Sequence, residues 1–311
     1  MTGMRYLSAS ALLGLIAVWA SENLFWIAPP AGLTLFDLAY LWVVYSFCTG
    51  SALSAVFVTG IRGLPAVFLG AAIMGWLVEG VVVAEMYLAF PVQLVWTPLA
   101  WHALISGVGV FAVGRAVVHW RLGRQIMAYL LLGLFLAFWA QFWPTERPEL
   151  PEMPFLRAYL NLLAYLGALG LGVPVAHLLL DRITPLERPK RWVLMIAPLT
   201  LAVVWVVQSL QAPSIRRLSL PVLLALTFWV MKRLGGAGAG GSPVDFGRPA
   251  PQPMRHFIFL LVPVLGAGLA VTGWAISGGF EANVALGLVL IPVSLLAYGW
   301  LGLRAERLQR K

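Results

Sequence analysis

Long, uninterrupted apolar stretches dominate this chain and restrict the folds open to it. Ten of them approach the roughly 20 residues that a helix needs to cross the hydrocarbon layer of a membrane. Charged residues make up only 11% of the chain, whereas about 25% is usual in a globular protein. So few charges cannot cover a water-soluble fold of this length. The sequence therefore predicts a polytopic membrane protein, and it excludes a soluble enzyme, a disulfide-linked secreted domain and a disordered regulator.

The ten stretches predict ten transmembrane helices, because a helix satisfies its own backbone hydrogen bonds in lipid. They are long and lack the two-residue alternation of transmembrane strands. The expected fold class is therefore all-α, a polytopic membrane helix bundle of about ten transmembrane helices. The approximate spans are residues 6–26, 33–59, 64–87, 94–118, 126–143, 158–180, 193–210, 218–231, 257–277 and 283–303.

Lysine and arginine fall mostly on one side of the predicted bundle. With the N-terminus placed in the cytoplasm, 17 of the 21 basic residues lie in inner segments. The exceptions are Arg147, Arg157, Arg216 and Arg217. By the positive-inside rule this asymmetry predicts that the N-terminus and the C-terminus are both cytoplasmic, and that the protein lies in the plasma (inner) membrane. Because orientation accounts for the net charge of +9, the lipid bilayer is the expected partner and nucleic acid is not.

Two connecting segments are rich in proline or glycine. Residues 144–154 alternate proline with acidic residues, which favours an extended outer loop. The stretch GGAGAGGSPVDFGRPAPQP predicts a flexible cytoplasmic linker over residues 235–255. We therefore expect an eight-helix membrane core over residues 1–234, this linker, and a final transmembrane helix pair with a short basic tail over residues 256–311.

Four ionisable side chains stand out inside the predicted spans, where a charge costs about 2.5–3.5 kcal/mol on insertion scales. They are Glu22, Asp37, Glu79 and His102. At about 1.5 Å per residue, Glu79 and His102 each lie about 12 Å below the outer surface on consecutive antiparallel helices. The two are therefore predicted to meet at one depth in the outer half of the bilayer. Ser106, one turn from His102, is expected to line a small polar pocket with them.

Each of these residues also has a purely structural interpretation. Glu22 and Asp37 are close enough to helix ends for their carboxylates to reach the outer headgroups. Glu79 and His102 could join two helices without handling protons. The sequence alone leaves both interpretations open.

The remaining histidines and the single cysteine predict no chemistry of their own. His119, His177 and His256 lie near the inner ends of spans, so we expect them at the membrane interface. No metal-type pair is expected among them, and Cys48 fits no ligand spacing. Nucleotide and phosphate motifs are also absent from the sequence, so neither a metal nor a cofactor is expected.

A secondary transporter or permease is the first class of function that fits these features. Such proteins use protonatable groups inside the bilayer to couple a solute to protons. In general build, ten short-looped helices in a chain of this length resemble the small drug and metabolite exporters. In this interpretation Glu79 exchanges a proton and His102 stabilises its ionised form. The sequence does not identify the solute.

The alternative is an integral-membrane enzyme acting on a lipid or an isoprenoid. The segments GWLVEG and LAWHAL are similar to the tryptophan and glutamate patterns on the helices of membrane carotenoid hydratases and cyclases. In such an enzyme Glu79 would supply a proton with His102 as its partner, and Trp76 and Trp101 would stabilise developing positive charge. A third interpretation is a structural subunit of a membrane complex, in which the polar residues only pair helices.

Overall fold

The computed structural model describes residues 2–26, 28, 32–236 and 243–309. The structure is 83% helical, and the described residues contain no β-strand. Ten of its helices are long and apolar enough to span a membrane. The predicted all-α class and the predicted number of spans are therefore confirmed for this part of the chain.

Each predicted span corresponds to one continuous helical segment. The eighth, which is the shortest in the sequence prediction, is 21 residues long in the structure and equals the seventh in length. The segments are α1 (Thr2–Trp26), α2 (Leu35–Thr59), α3 (Gly63–Val82), α4 (Val92–His119), α5 (Leu122–Glu146), α6 (Phe155–Ile183), α7 (Arg191–Gln211), α8 (Ile215–Gly235), α9 (Pro253–Ser277) and α10 (Ala282–Leu308).

The bundle has two ends that differ in charge. The basic face is the end formed by the α2–α3, α4–α5, α6–α7 and α8–α9 connections. The opposite face is formed by the other five connections. The start of α1 lies at the basic face, because the hydroxyl of Tyr6 is 2.7 Å from that of Ser54 near the end of α2. The cytoplasmic location of the basic face stays a prediction.

Helices α1 to α4 form the centre of the bundle. Helix α1 packs on α2 and α6, α3 packs on α4, and α9 packs against α5 and α6 on one flank. Helices α7, α8 and α10 lie on the other flank. In the apolar membrane-spanning stretch of α10, only 11% of the residues are buried. The flanking helices therefore present apolar side chains to lipid, while polar side chains inside the bundle come mainly from the centre.

The linker expected over residues 235–255 is only partly described. Residues 237–242 lie outside the described residues, so flexibility there stays a prediction. Residues 243–252, named the strap, lie against the basic face. In the strap, Val244 exchanges two 2.8 Å backbone hydrogen bonds with Leu186. The strap is therefore anchored to the helical core, although its sequence is rich in glycine and proline.

Three central helices contain wide, π-type turns in which backbone hydrogen bonds span five residues. These turns cover Trp19–Asn23 in α1, Val78–Val82 in α3 and Trp96–Val113 in α4. Turns of this type are rare and frequently occur at functional sites. The three segments carry, in that order, Glu22, Glu79 and His102. The backbone is therefore irregular where the ionisable side chains lie.

Helices α3 and α4 lie in close contact at Gly75. A Cβ atom added there would lie 2.8 Å from the Cβ of His102 and 2.8 Å from backbone atoms of Pro98. We predict that Gly75→Ala lowers the free energy of unfolding by about 1–3 kcal/mol, because the added methyl group overpacks the contact. Unfolding in mixed detergent micelles measures this loss.

Gly70→Ala on the same helix is the matched control. Its added Cβ would meet only Val56, at an ordinary distance of 3.7 Å. An equal loss of stability in the two variants would contradict the prediction for Gly75.

Candidate functional site

Glu79 on α3 and His102 on α4 form a buried acid–imidazole pair. Oε1 of Glu79 lies 3.1 Å from Nε2 of His102. The two residues are only 6% and 3% exposed. A buried polar group without a partner is costly, so each side chain depends on the other. The structure thus brings together the two residues that sequence reasoning placed at the same depth.

A run of hydrogen bonds continues from His102 toward the basic face. Nδ1 of His102 lies 2.8 Å from the hydroxyl oxygen of Ser21 on α1, which lies 3.0 Å from that of Ser106 on α4. All of these side chains are buried. We name Glu79, His102, Ser21 and Ser106 the central polar chain. Because imidazole and hydroxyl groups both donate and accept hydrogen bonds, such a chain can relay a proton between its ends.

Glu22 lies beside the central polar chain. Its Oε1 accepts a 2.5 Å hydrogen bond from the hydroxyl of Tyr45 on α2, and its Oε2 accepts one of 3.1 Å from the indole of Trp26. Glu22 also interacts electrostatically with His102 and Glu79. Sequence reasoning did not include Tyr45 among the site residues. The sequence feature that could have indicated Tyr45 is its position deep inside an apolar span, where the tyrosine hydroxyl requires a hydrogen-bond partner.

Asp37 is not part of this group. Its Oδ2 accepts hydrogen bonds of 2.8 Å and 2.6 Å from the backbone N–H and the hydroxyl of Thr34, whose Oγ1 accepts one from the N–H of Asp37. This capping box satisfies backbone donors in the first turn of α2. These contacts favour the structural interpretation of Asp37, and its candidate role in proton handling stays a prediction.

The two candidate tryptophans make their contacts elsewhere. The indole of Trp76 donates a 3.0 Å hydrogen bond to the carbonyl of Leu94 and packs edge-on against Tyr298. The indole of Trp101 donates a 3.1 Å hydrogen bond to the carbonyl of Ala20 and packs on Trp139. These contacts fit structural packing, and they provide no support for stabilisation of a cation beside Glu79.

A cavity of about 730 Å³ lies between α1, α2, α3, α4 and the strap. Thr49 and Ser106 line its deep end, while Arg62, His119 and Arg248 line its mouth at the basic face. Ser106 belongs to both the cavity wall and the central polar chain. Sequence reasoning expected a solute site near the outer half of the bilayer, but this cavity approaches Glu79 from the basic face.

The opposite side of the central polar chain is covered by residues 83–91, named the cover, which connect α3 to α4. The hydroxyl of Tyr87 donates a 2.9 Å hydrogen bond to the carbonyl of Gly80, next to Glu79. The indole of Trp205 donates to the same hydroxyl at 3.2 Å, and the guanidinium of Arg217 lies 4.9 Å from the Tyr87 ring. Burial raises the pKa of Tyr87, so its hydroxyl remains a neutral donor. These contacts hold the cover against α3, α7 and α8.

A second buried polar cluster lies near the basic face. Nη2 of Arg115 on α4 lies 2.5 Å from Oδ1 of Asp181 on α6, with both side chains less than a tenth exposed. Oδ2 of Asp181 lies 2.8 Å from Nε2 of His256 on α9, whose ring stacks on that of His177. Both histidines are 2% exposed. Both histidines therefore pack inside the bundle, and their predicted depth at the membrane interface stays a prediction.

The second cluster holds the strap in place. Nε of Arg115 donates a 2.9 Å hydrogen bond to the carbonyl of Phe246, and the N–H of Ala250 donates one of 2.9 Å to Asp181. Because strap residues line the mouth of the cavity, this cluster controls the shape of the mouth. The signal missed in the sequence was Asp181 four residues after His177, a spacing that places both on one helix face.

Among residues 2–26, 28, 32–236 and 243–309, no group of three or more His, Cys, Asp and Glu side chains could hold a metal ion.

Comparison of this chain with protein families, with curated proteins and with solved structures finds no match.

Proposed function

We propose that the protein is a secondary transporter that couples the movement of a solute to protons, in a state open toward the basic face. One observation carries this proposal: the central polar chain connects buried Glu79 to Ser106 in the wall of the cavity. A protonatable group inside the bilayer and a solute-sized cavity are thereby joined by hydrogen bonds.

Alternating access requires a second state, in which the cavity closes and the cover opens. Glu79 lies beside Gly80, and the carbonyl of Gly80 accepts the hydrogen bond from Tyr87 of the cover. Glu79 and Gly80 belong to the same π-type turn of α3. A change in the charge of Glu79 therefore acts on the turn that holds the cover closed. This coupling gives protonation and solute binding different free energies in the two states, as transport requires.

The test uses purified protein in liposomes that contain a pH-sensitive dye. The solutes offered are decyl sulfonate, decyltrimethylammonium, decanol and methanesulfonate, because none of them carries a titrating proton near neutral pH. We expect the wild-type protein to move protons when at least one of these solutes is added, and Glu79→Gln to move none. The amide of the glutamine is close in shape to the carboxyl group, but it does not bind and release a proton near neutral pH.

Glu152→Gln provides the control, since Glu152 is an exposed acidic residue in the α5–α6 connection. This variant should behave as the wild-type protein does. Proton movement that persists in Glu79→Gln, or a wild-type protein that moves no proton with any of the four solutes, would overturn the proposal. The enzyme interpretation stays a prediction from the sequence resemblance.

A further inference from the structure

The cavity has a simple distribution of polar and apolar groups. Most of its lining consists of aliphatic side chains and glycines of α1 to α4. At the deep end, the hydroxyl of Thr49 already donates to the carbonyls of Ser10 and Tyr45, and Ser106 is part of the central polar chain. Charged side chains in the lining occur only at the mouth. An apolar interior with one charged end suits an amphipathic molecule.

The cavity is also long relative to its volume. Along α2 it is lined from Thr49 to Gly60, which corresponds to roughly 16 Å at about 1.5 Å per residue. A volume of about 730 Å³ distributed over that length describes an elongated passage that is wider than one hydrocarbon chain. An extended hydrocarbon chain fits lengthwise in such a passage.

The mouth is positively charged. Arg62 and Arg248 are exposed there, and neither guanidinium has an acidic partner within the described residues. Arg115 also lines the cavity, but Asp181 neutralises it. Asp245 is the one carboxylate among the described residues of the lining, and its Oδ1 accepts a hydrogen bond from the N–H of Gly247. The mouth therefore retains unpaired guanidinium groups that can bind an anion.

We propose that the cavity binds a single-chain amphiphile with an anionic head group. The head group lies between Arg62 and Arg248, and the chain extends toward Ser106. Guanidinium groups bind carboxylate, sulfonate and phosphate oxygens through paired N–H donors, while the apolar walls remove the chain from water. This inference names the solute class of the proposed transporter, and it rests on that proposed function.

Binding is measured by calorimetry on the purified full chain in phosphatidylcholine nanodiscs, with empty nanodiscs as the blank. Decyl sulfonate, decyltrimethylammonium and decanol share one chain and differ in the charge of the head group. We expect decyl sulfonate to bind at least tenfold more tightly than either of the others. Methanesulfonate, which has the head group without the chain, should show no measurable binding.

Paired variants locate the site. Arg62→Gln combined with Arg248→Gln should weaken the binding of decyl sulfonate about tenfold. Arg121→Gln combined with Arg124→Gln removes the same charge from the same face, away from the cavity lining, and should leave binding unchanged. Val56→Trp, in the cavity wall, should weaken the binding of decyl sulfonate by filling part of the passage. The thermal unfolding temperature of each variant verifies that it is folded.

Some results would overturn the inference. Equal binding of all three ten-carbon probes would show that the site does not select an anionic head group. Equal losses in the two arginine pairs would indicate general surface charge instead of a site. The proposed function fails separately: if decyl sulfonate binds as expected but none of the four solutes drives proton movement, the binding site stands and coupling is overturned. Proton movement driven by decyltrimethylammonium alone would keep coupling and overturn the solute class.

Discussion

Asp181→Ala is expected to lower the free energy of unfolding by about 3–5 kcal/mol, because it leaves the guanidinium of Arg115 buried without an anion. The replacement also removes the acceptor for the N–H of Ala250 in the strap and the partner of His256. Unfolding in mixed detergent micelles measures the loss. Hydrogen exchange of the backbone amides in residues 243–250 should become faster, since the strap loses its anchor.

Two further variants separate the buried ion pair from a general effect of charge. Arg115→Met combined with Asp181→Leu should recover part of the lost stability, because it removes the buried unpaired charge but restores no acceptor for Ala250 and no partner for His256. Asp245→Ala removes an exposed acidic residue of the strap, so a loss of about 0.5 kcal/mol or less is expected. A comparable loss in Asp181→Ala and Asp245→Ala would contradict this view of the second cluster.

His102→Leu is expected to abolish proton-coupled movement and to destabilise the protein. Glu79 and Ser21 both lose a buried hydrogen-bond partner, which costs about 1–3 kcal/mol for each group left unsatisfied. Dye-loaded liposomes measure the proton movement, and unfolding in micelles measures the stability. Both effects are expected to be large because, among the described residues, His102 is the side chain that hydrogen-bonds to both Glu79 and Ser21.

The double replacement of Glu79 and His102 by leucine distinguishes coupling from simple helix pairing. It removes both members of the buried pair, so stability should recover relative to His102→Leu alone. Proton movement should remain absent. If the double variant were as active as the wild-type protein, the pair would serve only to join α3 and α4. The interpretation as a structural subunit would then be favoured.

Much of the architecture could be predicted from the order of residues alone. The thickness of the hydrocarbon layer and the need to satisfy every backbone group act on each apolar stretch separately, so the ten spans required no knowledge of neighbours. A constant rise per residue likewise predicted matching depths for Glu79 and His102, which the structure brings to 3.1 Å from each other. Both quantities are measured along one helix axis, which is why they are accessible from sequence.

Which side chains meet was decided by the tertiary structure, because contact depends on how each helix is rotated about its axis. The π-type turns alter that rotation locally, and they bring Ser21 of α1 to His102 of α4. Asp37 instead lies in the capping box at the start of α2, and Asp181 binds two partners from distant helices. The cavity and the anchored strap likewise exist only where four helices and a connecting segment pack together, since no single stretch of the chain contains their contacts.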